Sequence, residues 1–447
     1  MLDNLLKRKS FWNVYIFSLF VLSAFTAIND QEVSGAIFFG LITCITLILF
    51  SDLTPSILPV LLLSAFVTEC YDSAATFLSM WYYGLFLVAA VIFHLLKYKR
   101  KITIGPSFSG IVAVTVAVTL GGLGSISRGE YLSPTSLYYV FSLGLGTLLF
   151  YLLFSNHFSK SSAYHLAQIM YAVGLFASFL VLLFLYLNRE TLLDESKTLL
   201  FQASNNLSTF IMLSLPFPMY FGKKRGVDVF ATLFMYFCAI ISTSRAAIIF
   251  ATLELIIIFV CYICFFERKK LLKFFYIAVL VALGYVFLKI LPEIVENVLY
   301  ASQRSENFGL SETFDAIKNF FTSPNESRGK LLKRALEDFK SNKIFGVGLG
   351  YTGNSDIYAP KSGAMNWYHM WTAQILGSMG LVGVLAFLYQ LFVRIKIYFK
   401  NTSPLNMTFL LSYVGLFLMS QVNPGEFCPL PYGILATVYF ILMEKKS

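Results

Sequence analysis

Residues 166–187 read LAQIMYAVGLFASFLVLLFLYL, 22 consecutive positions without a charged side chain. A run of this length crosses a hydrocarbon core of about 30 Å as a helix, in which every backbone N–H and C=O is satisfied internally. The same pattern recurs on both sides of it. Fourteen candidate spans begin near Phe11, Val33, Pro55, Phe77, Phe108, Leu137, Leu166, Leu207, Val227, Ala246, Leu271, Met370, Leu405 and Pro431, the third and last of them short. The alternating segments of a membrane barrel are not seen, so the expected fold is an all-α polytopic membrane protein of about 12–14 transmembrane helices. Composition agrees: 57% of the 447 residues are hydrophobic and 13% are charged, about half the charged share of a soluble domain.

Tracing the connections alternately divides the charges by side. The face holding Met1 collects twenty cations, among them Lys97, Arg100, Arg394 and Lys445, against the five acids Asp3, Asp52, Asp228, Glu267 and Glu444. Short connections on the other face hold only Arg128, Arg189, Lys197 and Arg245, with nine acids. Cytoplasmic loops carry the excess of Lys and Arg, so both termini are expected in the cytoplasm. The net charge of +10 is then a topology signal, and no nucleic-acid partner is expected. The first run, after Lys7-Arg8-Lys9, is read as a retained helix because the alternation needs it in place.

One long polar stretch interrupts the apolar pattern, from Pro292 to Tyr368. It divides the chain into N-terminal helices (1–291), an extracytoplasmic loop subdomain (292–368) and C-terminal helices (369–447). Within the loop, helices are expected over Ser311–Phe321 and Arg328–Asn342. In the second, Leu331, Leu332, Ala335, Leu336 and Phe339 recur at helical spacing. Gly346, Gly348 and Gly350 then form a tight turn that lets the loop fold back on the membrane domain. They precede no helix and carry no Gly-Lys-Ser, so they are not a nucleotide loop.

Three residues stand out chemically. Arg245, on the face where cations are scarce, either snorkels to headgroups or binds a lipid phosphate with its planar fork. Arg328 begins a helix, whose free N–H groups already favour an anion. His369 opens a span, either as an interfacial anchor or as a general base in the range an imidazole suits. Glu254, mid-span, is expected to be neutralised or paired. His94, His157 and His165 are given no chemical role. Cys261 and Cys264 lack partner ligands, whereas Cys70 and Cys428 share the outer face. No outer-face Asp-x-Asp or His/Asp cluster offers a metal site, so neither metal nor cofactor is expected and a sugar-nucleotide enzyme is disfavoured.

Three segments together resemble the O-antigen ligase and polymerase family of bacterial envelope enzymes. They are Ser242-Thr243-Ser244-Arg245-Ala246-Ala247; Ser327-Arg328-Gly329-Lys330 running to Gly346-Val347-Gly348-Leu349-Gly350; and His369 with Gly380 and Gly383. The resemblance covers roughly residues 230–390. It implies a metal-independent glycosyltransferase of the cytoplasmic membrane that moves a glycan from undecaprenyl diphosphate onto an acceptor hydroxyl. His369 would be the catalytic base, and Arg245 and Arg328 would hold the diphosphate. Partners so implied are the lipid-linked donor, a glycan or lipid A core acceptor, membrane lipids and other polysaccharide-assembly proteins. Met370 and Ser378 stand where the family usually has Asn and an acid, which tilts the expectation from ligase toward polymerase. A lipid-linked oligosaccharide flippase is the alternative of another class; no internal repeat supports it.

Overall fold

A computed structural model describes residues 2–29, 31–69, 82–123, 137, 140–187, 202–222, 227–242, 244–265, 273–282, 284–285, 288–289, 327–349, 368–422, 425–427 and 429–445. The chain runs through α1 (Lys9–Ile28), α2 (Glu32–Leu49), α3 (Thr54–Glu69), α4 (Tyr82–Lys97), α5 (Ser107–Leu120), α6 (Thr147–Phe154) and α7 (Lys160–Leu187). It continues through α8 (Gln202–Ser214), α9 (Val227–Ile241), α10 (Arg245–Phe265), α11 (Lys273–Ala282), α12 (Ser327–Ser341), α13 (Trp371–Lys400), α14 (Pro404–Met419) and α15 (Ile434–Glu444). No strand occurs among the described residues, and every one of the fourteen apolar runs contains a helix. Six helical segments are long and apolar enough to cross a membrane: Lys9–Ile28, Glu32–Leu49, Val140–His157, Lys160–Leu187, Ala247–Phe265 and Trp371–Lys400. This is a multi-pass, all-α membrane protein.

Small residues let the helices approach. Gly174 of α7 lies so close to Ser214 and Met235 that a Cβ there would come within 2.4 Å of the serine, the close backbone contact that membrane helices use in place of a hydrophobic driving force. Phe17, Phe25, Leu85 and Phe399 meanwhile point outward, as lipid-facing side chains do. α14 starts on Ser403, whose hydroxyl accepts from Asn406 N–H, with Pro404 at the first helical position.

One end of the bundle gathers charged residues that the sequence puts on Met1's side. Arg100 donates to Asn156 O at 2.7 Å, and Lys97 to Ile48 O at 2.9 Å. Glu444 accepts from Ser107 N–H at 2.9 Å and Tyr151 hydroxyl at 2.7 Å. His94 and His157 meet here, ring nitrogen to ring nitrogen at 2.7 Å, and His165 stacks on Trp12.

Arg394, counted among the cations of that face, is held inside the bundle: it is 7% exposed and ion-paired with Glu426. Residues 425–427 turn into the bundle, and Pro429–Gly433 leads into α15, only 11 residues long. A connection counted as a surface loop therefore supplies a buried acid.

Candidate active site

Gly380 breaks α13, with φ 61° and ψ −151°. Side chains rarely tolerate that conformation, and a Cβ would sit 2.6 Å from the carbonyl oxygens of Lys343 and Ile344. The groups freed by the break are taken up by the turn after α12. Leu381 N–H bonds Lys343 O at 2.9 Å and Val382 N–H bonds Ile344 O at 3.1 Å, while Gly377 O and Ser378 O accept from Val347 and Gly348 N–H, both at 2.9 Å. Irregular backbone inside a membrane domain survives only when its polar groups are met in this way. Gly122, just past α5, donates to Phe345 O at 2.8 Å and packs on the Cα of Gly348. The glycine turn is thus folded onto the membrane domain, as the sequence suggests; Gly350 lies outside the described residues.

α12 docks on the start of α13. Ala335, Tyr368 and Ala373 form a small core joined by Leu332 and Met370. The helix occupies Ser327–Ser341, close to the span expected, but its buried face is rotated. Leu336 is 41% exposed, whereas Asp338 is 4% exposed, because a polar partner waits for it: Asp338 Oδ2 accepts from the Tyr368 hydroxyl at 2.6 Å and from Arg334 Nε–H at 3.3 Å. Burial pushes the Asp338 carboxyl above its ordinary value, while the Tyr368 hydroxyl and Arg334 pull it back.

His369 follows Tyr368 directly, half-buried, with φ 51°. Its neighbours are fixed on both sides. Tyr368 N–H donates to Gln374 Oε1 at 3.1 Å, Gln374 Nε2 donates to Ser378 Oγ at 3.0 Å, and Trp371 N–H donates to Ser420 O at 2.8 Å. Below, Trp371, Ile375, Met379, Phe387 and Phe427 pack with Val114, Val118 and Leu349.

Arg328 lies in the first turn of α12, one turn before Leu332 of the docking core. Arg245 is the first residue of α10. α10 runs antiparallel to α14, since Glu254 lies against Gly415 and Tyr262 hydroxyl meets Thr408 Oγ1 at 2.9 Å. Nine residues before Glu254, about 13 Å of helix, the backbone of Arg245 is near the α14 terminus that bonds Trp371. The backbone therefore brings Tyr368 and Met370, which flank His369, into contact with the Arg328 helix and sets Arg245 toward the same end of the bundle. The side chains of Arg245 and Arg328 lie outside the described residues, as do Ser311–Phe321, Cys70, Cys428 and the rest of 290–326 and 350–367.

Glu254 is wholly buried, and neither carboxyl oxygen has a hydrogen-bond partner among the described residues. Among the described residues no group of three metal-ligating side chains assembles.

The sequence reading did not identify Asp338, Tyr368, Gln374 or Ser420. An acid at i, i+4, i+7 from Leu331 and Ala335 was the available signal for Asp338, and none marked Ser420. No curated protein and no solved structure matches the chain. A protein family does: residues 230–388, from α9 through the break in α13, match the O-antigen ligase family. Every segment of the junction between α12 and α13 lies inside that match, and over residues 230–388 the chain is similar to the O-antigen ligase family.

Proposed function

We propose that the protein is a polysaccharide polymerase that transfers a glycan from undecaprenyl diphosphate to a hydroxyl of another lipid-linked repeat unit. The reaction takes place at the outer leaflet of a bacterial cytoplasmic membrane, with both termini inside and residues 292–368 outside. His369 removes the proton of the acceptor hydroxyl as its oxygen bonds the anomeric carbon. The carbon–oxygen bond to the diphosphate breaks in the same step, and undecaprenyl diphosphate leaves with the electron pair, inverting the centre. Arg245 and Arg328 meet the charge that develops on the leaving diphosphate, a task suited to a forked guanidinium in a dried site. No metal is needed in this scheme.

One observation carries the reading: the helix that begins with Ser327-Arg328 is docked, through Asp338 and Tyr368, on the residue adjacent to His369. That docking supports a site in which Arg328 and His369, far apart in sequence, act at one junction, beside a broken helix of the kind that lines polar cavities in membranes.

Purified protein in liposomes, supplied with an undecaprenyl diphosphate-linked repeat unit, tests the assignment. Longer lipid-linked chains formed without energy input support it. Transfer only to lipid A core would make the protein a ligase, and transbilayer movement without transfer would make it a flippase; either result replaces the polymerase reading.

A further inference from the structure

We propose that Asp338 and Tyr368 are positioning residues, their hydrogen bond being the joint that holds the Arg328 helix in register with the His369 turn. The inference rests on the roles given to His369 and Arg328 above. Tyr368 is 2% exposed and tied at three points. Its hydroxyl donates to Asp338 at 2.6 Å, its amide donates to Gln374 at 3.1 Å, and its ring lies against Gly377, where an added Cβ would come within 2.9 Å of it. One pose remains to it.

That pose matters to the next residue. His369 has φ 51°, a left-handed conformation that a residue with a side chain keeps only when its surroundings impose it. Tyr368 supplies the constraint on one side, and the Trp371 N–H bond to Ser420 O supplies it on the other. A free turn would relax, and the imidazole would turn with it.

At the far side of the joint, Asp338 is 4% exposed and also receives Arg334 Nε at 3.3 Å. Ten residues of helix, about 15 Å, separate it from Arg328, so a small rotation at Asp338 becomes a larger displacement at the first turn. At 2.6 Å the hydroxyl–carboxyl hydrogen bond is short, which suits a fastening between two elements that share a small apolar core. Misplacement of reacting groups by about 1 Å costs on the order of a hundredfold in rate.

Tyr368→Phe keeps the ring against Gly377 and deletes only the hydroxyl. Asp338→Asn keeps an oxygen acceptor, and Asp338→Leu removes it. With full-length protein in liposomes and an undecaprenyl diphosphate-linked repeat unit, Tyr368→Phe and Asp338→Leu are expected to lower kcat about 10- to 100-fold with KM nearly unchanged. Asp338→Asn should restore most of it. Register is read separately by disulfide trapping between Leu332→Cys and Met370→Cys, which flank the same small core, with the six native cysteines replaced by serine. Trapping slows in Tyr368→Phe if the joint exists and recovers in Asp338→Asn. Native kcat and native trapping in Tyr368→Phe overturn the proposal. Native turnover in His369→Ala would instead remove the catalytic reading; trapping would then decide the joint alone, slowed trapping supporting it and unchanged trapping overturning it.

Discussion

Arg394 and Glu426 form an ion pair inside the helical bundle, each side chain 8% exposed, with the Tyr413 hydroxyl donating to the second carboxylate oxygen at 3.2 Å and the guanidinium over the Tyr413 and Phe440 rings. Removing one partner leaves a buried charge without its counterpart. Arg394→Met or Glu426→Leu should each destabilise the protein by about 3–5 kcal/mol, and the double variant should recover most of the loss. Unfolding of the detergent-solubilised protein measures both; equal damage in the single and double variants would refute the pairing argument.

His369→Ala should abolish glycan transfer while leaving membrane insertion intact. Arg328→Lys should fall about a hundredfold in turnover, because a point charge replaces a fork. Single-turnover assays on protein matched for expression check this. Wild-type rates in His369→Ala would end its assignment as the base.

Gly380→Ala should cost both stability and activity. The substitution puts a Cβ 2.6 Å from two carbonyl oxygens and forces a positive φ on alanine, a strain of about 1–3 kcal/mol before the clash is counted. Gly284→Ala, with no described residue within 4 Å of the added atom, is the control and should be nearly silent in the same thermal melt.

Acidity should tighten the docking of α12. Burial raises the Asp338 carboxyl above its ordinary value, so the docked state binds a proton more strongly than the undocked one. Docking is then fully favoured at low pH and weakens as pH rises through the raised value. Hydrogen exchange over residues 327–341, corrected for its intrinsic pH dependence, should report less protection as pH climbs, and Asp338→Asn should flatten the response.

Glu254→Met should raise the melting temperature and keep transfer activity. The native carboxyl is buried without a hydrogen-bond partner among the described residues, an arrangement that costs about 1–3 kcal/mol, and methionine fills a similar volume beside Gly415. A lower melting temperature together with lost transfer would assign the carboxyl a function.

Much of the fold was legible because a membrane span declares itself locally. Charge-free runs such as 166–187 demand intrachain hydrogen bonding wherever they sit, and all fourteen hold helices. Lys97, Arg100 and Lys445, which the charge count assigns to one side, gather at one end of the bundle. The burial of Arg394 is not readable from such a count, because its partner Glu426 comes from a connection that doubles back into the bundle. Periodicity located α12 but rotated its buried face, since Leu336 looks more apolar than Asp338 until Tyr368, thirty residues later, is placed opposite. The glycines of 346–383 could be read as close-packing positions. That two of them mark an exchange of hydrogen bonds between a turn and a helix could not, because the exchange depends on which carbonyls come within reach.

The exchange at Gly380 also limits how this protein can move. Four backbone hydrogen bonds cross from residues 343–348 to 377–382, and opening the seam in a water-poor interior would strand eight polar groups at once. The seam therefore acts as a weld, and on the proposed function any opening that admits a bulky lipid-borne sugar and releases its product lies elsewhere along the chain.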